Sequence, residues 1–369
     1  MLGTVFYACM TLILFASFPI WRKIYRRYSQ RQPILEPRPQ VASPIGLVDV
    51  FVLLAGWLTS QIIAGGLFMS ASGVDPTELE LVSGSQMVLL MLLAGLAQLI
   101  AVAMGMAYLI IRYSNATVVG WYPNFIRADL KLAFLGFLLV APLAMVLQLL
   151  LSLLVEYKHP ALDAMVEDAS VFTVIAVWFA AVIAAPIAEE VVFRGWIQNW
   201  LQRVSFRPGK FNLTLAGGWR NQPDPDWDAG IEIVEAVLKS ESDPDVSNVP
   251  TSLTVPAELN NDNPYVATNV DLFQENHDAR NQAPEADIPS LNPVAGWAAI
   301  VITSALFAVM HLGQGLAPIP LFVFSLLLGY LYQRTGSLLP CIGLHMINNG
   351  YSVFWLTMQI LTGEAGDLP

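Results

Sequence analysis

Charge is what this chain has least of. Only 13% of its 369 residues are Asp, Glu, Lys or Arg, while 55% are hydrophobic. Soluble domains carry about 25% charged residues, so an ordinary soluble domain is excluded. Histidine is scarce, with four in all, and cysteine scarcer, with Cys9 and Cys341 both in apolar stretches. These two cysteines offer neither a zinc-ribbon spacing nor a disulfide framework. The HExxH spacing of helical zinc proteases is missing as well. In place of charge there are apolar runs that exceed the ~20 residues needed to cross a bilayer core.

The runs predict an all-α polytopic membrane protein with about eight transmembrane helices, near 3–21, 46–70, 85–112, 131–155, 171–188, 295–313, 316–333 and 338–361. The fifth continues as helix to about 206. The first run has no basic residues before it; Arg22, Lys23, Arg26, Arg27 and Arg31 come after it. A secretory signal has the reverse layout, so we read an uncleaved span with its N-terminus outside. Eight crossings then put 17 of the 18 basic residues on the inner side, leaving Lys158 outside. That is the asymmetry expected of a protein in a bacterial cytoplasmic membrane, with both termini outside.

Four regions follow. Residues 1–45 hold the first span and a basic, Pro-rich linker; 46–170 hold accessory helices; 171–206 and 294–361 form a helical core; 207–293 interrupt it. The interruption has ten prolines and fifteen acidic residues against five basic ones, a net charge of −10 within a total of −11. Such composition reads as a largely irregular, acidic, cytoplasmic insertion, with one short amphipathic helix near 229–239. An acidic segment argues against nucleic acid as a partner. Trp219 and Trp227 give the insertion anchors for a protein partner or the bilayer surface.

The polar exceptions to the apolar core are few and specific. Val171 to Ala188 carry no charge; then come Glu189, Glu190 and, at i+4 from the second carboxylate, Arg194. Each ionisable group in a span costs at least ~2.5–3.5 kcal/mol, so it seldom sits there without a partner or a task. His311 ends the run Phe307-Ala308-Val309-Met310-His311. His345 and Asn349 share a helical face at i, i+4. Sixteen residues separate Glu190 from Phe206, and sixteen separate Ala295 from His311. As antiparallel helices these segments would bring Glu190 and His311 to one height. His345, about seven residues into its span, levels with them only if the other helices project beyond the membrane.

Taken singly, each residue has an ordinary explanation. A lone histidine can pack, paired glutamates can cap a helix, and an amide can join helices. Asp49, near a span end, reads as interfacial. Together, two carboxylates, two imidazoles, an amide and a guanidinium can activate water, relay its proton and stabilise an oxyanion. A second reading is a zinc ion held by Glu189, His311 and His345.

EEVVFRG, FAVMH and HMINN, in that order on separate helices, resemble the three-motif signature of the CPBP intramembrane proteases. That family includes the type II CAAX prenyl endopeptidases, the bacterial Abi proteins and relatives of lysostaphin-resistance protein A. The resemblance implies an intramembrane endopeptidase acting on a membrane-bound, hydrophobic or prenylated peptide. It implies Glu189 as general base, Glu190 and Arg194 as a supporting pair, and His311 beside the water. His345 and Asn349 would hold the oxyanion or, in the zinc reading, help ligate the metal. The alternative is a membrane scaffold or bacteriocin-immunity factor that keeps the fold without catalysis. The 87-residue insertion between the first two motifs departs from the family's short turn and bears on substrate access.

Overall fold

The computed structural model describes residues 2–38, 44–73, 84–152, 170–205 and 293–362. All regular structure among them is helical. We number the long helices α1 (Leu2–Ser29), α2 (Leu47–Ser72), α3 (Gly84–Tyr113), α4 (Ile126–Ser152), α5 (171–205), α6 (Pro293–Val309), α7 (Pro318–Thr335) and α8 (Leu339–Leu361). Each coincides with a predicted run. The acidic insertion, with its expected short helix, lies outside the described residues.

Five helices, α1 to α5, are long and apolar enough to cross a membrane. The other three fall short of that measure. The apolar part of α6 is brief, Trp297–Val309. Helix α7 ends in Gln333-Arg334-Thr335, and α8 carries His345, Asn348 and Asn349 in its first half. Of the eight expected crossings five meet that measure; α6 falls short in length, and α7 and α8 give up hydropathy to their polar residues.

Helices in lipid gain little from burying apolar surface against one another, so close packing through small residues takes over. A Cβ on Gly105 of α3 would stand 2.7 Å from the Trp196 ring of α5, and one on Gly343 of α8 would stand 2.9 Å from Ala133 of α4. These positions let α3 reach α5 and let α4 reach α8, which is the most extensive pairing in the fold. Helix α6 packs chiefly on α7, and α5 lies between α3, α6, α7 and α8. The motif helix is thus enclosed on several sides, while α1 stays at the edge against α4 and α8.

Asp49 stands in the first turn of α2, near a span end. It is buried, and its carboxylate accepts from Tyr108 at 2.9 Å, Tyr113 at 2.7 Å and the Gly46 N–H at 2.9 Å, with Arg112 3.2 Å away. Four partners outweigh the cost of removing one charge from water, so this carboxylate clasps α2 to α3. A comparable knot holds the linker after α1. Arg38 pairs with the buried Asp129, which accepts from Ser337 at 2.7 Å, and the Arg38 N–H donates to Arg334 O.

Candidate active site

Helix α5 is not a uniform α-helix. Val171–Val177, Ala185–Glu190 and Asn199–Ser205 are α-helical, while Trp178–Ala184 and Val191–Gln198 are widened to π-helical turns. Such widened turns within α-helices recur at functional sites. Here they flank the two glutamates.

The first has a cause in the sequence. The Ala185 N–H bonds back to Ala180 O, and the next residue, Pro186, has no N–H to offer. Ala181 O is thereby left without its helical donor. Asn349 of α8 supplies one, its Nδ2 standing 2.9 Å from Ala181 O. The third-motif asparagine thus ties α8 to the irregular part of α5. One of its two amide N–H groups is spent in doing so.

One turn earlier on α8, His345 is 3% exposed. Its Nδ1 lies 2.8 Å from Glu190 Oε1. A carboxylate can only accept, so Nδ1 carries the proton and, in the neutral ring, Nε2 carries the lone pair. Nε2 faces Glu189, 3.8 Å from Oε2. That gap is too long for a direct hydrogen bond and suits a single bridging oxygen.

Glu190 and Arg194 are both fully buried and 3.2 Å apart. Arg194 Nη2 also donates to Ser325 Oγ at 2.6 Å and Ser325 O at 3.2 Å, which fixes the guanidinium to α7. Glu190 is therefore held by Arg194 on one side and by His345 on the other. Glu189 differs sharply, with its side chain 21% exposed. Of the two adjacent carboxylates, one is locked and one is accessible.

His311 lies past the end of α6, in a turn, and not within the helix as expected. Its N–H bonds to Ala308 O at the tighter i−3 spacing, and its Nδ1 lies 2.8 Å from Phe307 O. Because a carbonyl accepts, this again places the ring proton on Nδ1 and leaves Nε2 as the acceptor. The Phe307 ring stands 4.9 Å from the His311 ring, 5.8 Å from that of His345 and 5.3 Å from that of Phe193. It also lies 5.1 Å from the Arg194 guanidinium carbon. Both imidazoles and Arg194 fall within the electrostatic surroundings of Glu189. The structure thus brings Glu189, Glu190, Arg194, His311 and His345 together, with Asn349 one turn beyond His345.

Ser325, Phe307 and Ala181 complete the arrangement, and sequence reasoning did not single them out as site members. Ser325 lies 131 residues from Arg194 in an apolar run, with no local signal. Phe307 occupies the first position of the second motif and was legible as a neighbour of His311. Ala181 could be found only through Pro186, five residues on.

Among the described residues, no three His, Cys, Asp or Glu side chains are grouped so as to hold a metal ion. The Nδ1 atoms of both histidines are committed elsewhere. Each ring keeps its Nε2 available, the usual disposition of a histidine that ligates a metal, and the steps proposed below use protein groups alone.

No curated protein and no solved structure matches the chain. A family model does, described as "Type II CAAX prenyl endopeptidase Rce1-like", over residues 171–217 and 287–351. The two matched stretches take in α5, α6, α7 and the first half of α8, with every motif residue described above. Over these helices, under a third of its length, the chain is similar to the Rce1-like type II CAAX prenyl endopeptidase family, the grouping to which its three motifs pointed.

Proposed function

We propose that the chain is an intramembrane endopeptidase that hydrolyses a peptide bond in a hydrophobic or prenylated, membrane-associated substrate. The observation that carries this reading is the contrast between the two carboxylates. Glu190 is locked between Arg194 and His345, whereas Glu189 is accessible and faces the lone pair of His345. Glu189 takes a proton from a water held near His345 Nε2 and His311 Nε2. The water oxygen attacks the peptide carbonyl carbon, and Glu189 then passes the proton to the leaving amine. The remaining N–H of Asn349 is the candidate donor to the oxyanion. The buried Glu190–Arg194 pair holds His345 in the required tautomer. The scaffold or immunity alternative has no such use for an imidazole fixed between two carboxylates, and the family match does not favour it.

The full chain reconstituted in lipid vesicles should cleave an apolar or farnesylated peptide. Strong chelation should leave the rate unchanged, and no stoichiometric zinc should co-purify. A rate abolished by chelation and restored by zinc would contradict the metal-free scheme. A folded chain that cleaves no peptide of either kind would contradict the protease reading.

The proposed setting is a bacterial cytoplasmic membrane, with residues 207–293 on the cytoplasmic side. A topology reporter inserted within 240–280 should read cytoplasmic. A periplasmic signal would overturn the orientation drawn from the basic residues.

A further inference from the structure

Below the carboxylates, α5 keeps a polar line where a lipid-embedded helix would ordinarily be apolar. Glu190, Arg194, Gln198 and Gln202 follow one another at four-residue steps, each at most 5% exposed. Two of them meet α7 in a constant register. Arg194 meets Ser325, and Gln198 Nε2 donates to Gly329 O at 2.8 Å, both offsets being 131 residues. From the third side, Ile300 of α6 approaches Gly329 together with Gln198. Ser304, one turn further along α6, is fully buried.

This line is under-bonded along its length. Glu190 Oε2, Arg194 Nε, Gln198 Oε1, Gln202 Nε2 and Ser304 Oγ are buried, and no described protein group bonds to them. Leaving a buried donor or acceptor unmet costs about 1–3 kcal/mol, so five on one seam call for a shared ligand. They include both donors and acceptors, which suits water and no single ion. Trp196 has an unmet N–H too, but it packs toward Gly105 of α3, away from this register. At Gly329 a Cβ would stand 3.1 Å from Gln198 Oε1 and 2.9 Å from Ile300 Cγ2, so only glycine lets α5 and α6 approach α7 this closely here.

We propose that this seam between α5, α6 and α7 is a water-binding file. It runs from the membrane face where α5 ends to Glu190 and His345, and Gln198 is its positioning residue. The role assigned to it rests on the protease reading. Each turnover consumes one water, whose hydroxyl goes to the carbonyl carbon and whose proton goes to the leaving amine. A peptide lying over the accessible face of Glu189 closes the direct route from solvent. The seam reaches the same cluster from behind, through Glu190 and His345.

X-ray radiolytic labelling of the full chain in 18O-water marks side chains beside bound water, whether or not the protein is active. Ile300 and Phe307 should label at least about tenfold faster than Leu109, which is equally buried in the apolar core of α3. Equal, negligible labelling of all three would overturn the proposal. Gln198→Leu should abolish Ile300 labelling and lower kcat about tenfold with KM unchanged, whereas the shorter but polar Gln198→Ser should keep both. A Gln198→Leu protein that loses the label but retains kcat would overturn the supply role. The wild-type labelling result stands even if Gln198→Leu fails to fold. Labelling without any cleavage by the wild-type chain would sink the protease reading and leave the hydrated seam in place.

Discussion

Arg194→Met should lower the stability of the protein by about 3–5 kcal/mol, the cost of stripping the partner from a fully buried charge. Arg194 and Glu190 are both at 0% exposure, and the guanidinium makes every described contact of the pair with α7. Methionine fills much of the volume but leaves the Glu190 carboxylate facing only His345 Nδ1. Thermal unfolding of the detergent-solubilised protein should show a large drop in Tm, and less full-length chain should accumulate in membranes. The double variant Glu190→Gln/Arg194→Met removes the unpaired charge and should recover most of that stability. It should not recover activity, because an amide in place of the Glu190 carboxylate no longer fixes the His345 tautomer. A single variant as stable as wild type would mean that the pair is not the structural centre of the site.

Glu189→Gln should behave in the opposite way. The side chain is partly exposed, and its contact to His345 is long at 3.8 Å. An isosteric amide there removes no close described bond, so the Tm should move little. Catalysis should fall by about 10²–10⁴-fold in kcat, the range expected when a general base is lost. KM should change less than kcat, because the group acts on water and not on the peptide. The two variants separate the roles of adjacent carboxylates. Loss of the charge pair at Glu190 should appear first as instability, and loss of Glu189 as inactivity in a sound fold. Equal loss of Tm in both would remove the distinction on which the mechanism rests.

Much of this was legible in the sequence, for physical reasons that can be named. The helices announced themselves because lipid demands long apolar runs with internally satisfied backbones. The Glu190–Arg194 pair was legible because i, i+4 spacing on a helix makes neighbours of two side chains. The approach of His311 to the glutamates followed from matching depths on two antiparallel segments. Its placement in a turn after Val309 did not, since the apolar run shows no break there. The commitment of Asn349 to Ala181 O was hidden. It depends on a widened helical turn, and Pro186 as a cause becomes visible only once the Ala185 N–H is seen to reach Ala180. Ser325 was hidden for a different reason. A serine in an apolar helix has no local pattern that names a partner 131 residues away. The partners of Asp49 were hidden as well, since its place near a span end gives no sign of Tyr108 and Tyr113, which supply its hydrogen bonds.

The most direct test compares membrane peptides from two cell populations, one expressing the wild-type chain and one expressing Glu189→Gln at equal abundance. With Glu189 as the hydrolytic base, at least one hydrophobic or lipid-anchored peptide should accumulate uncut in the variant, and its cleaved product should appear only with wild type. Identical peptide sets from the two populations, with both proteins folded in the membrane, would contradict Glu189-dependent peptide hydrolysis.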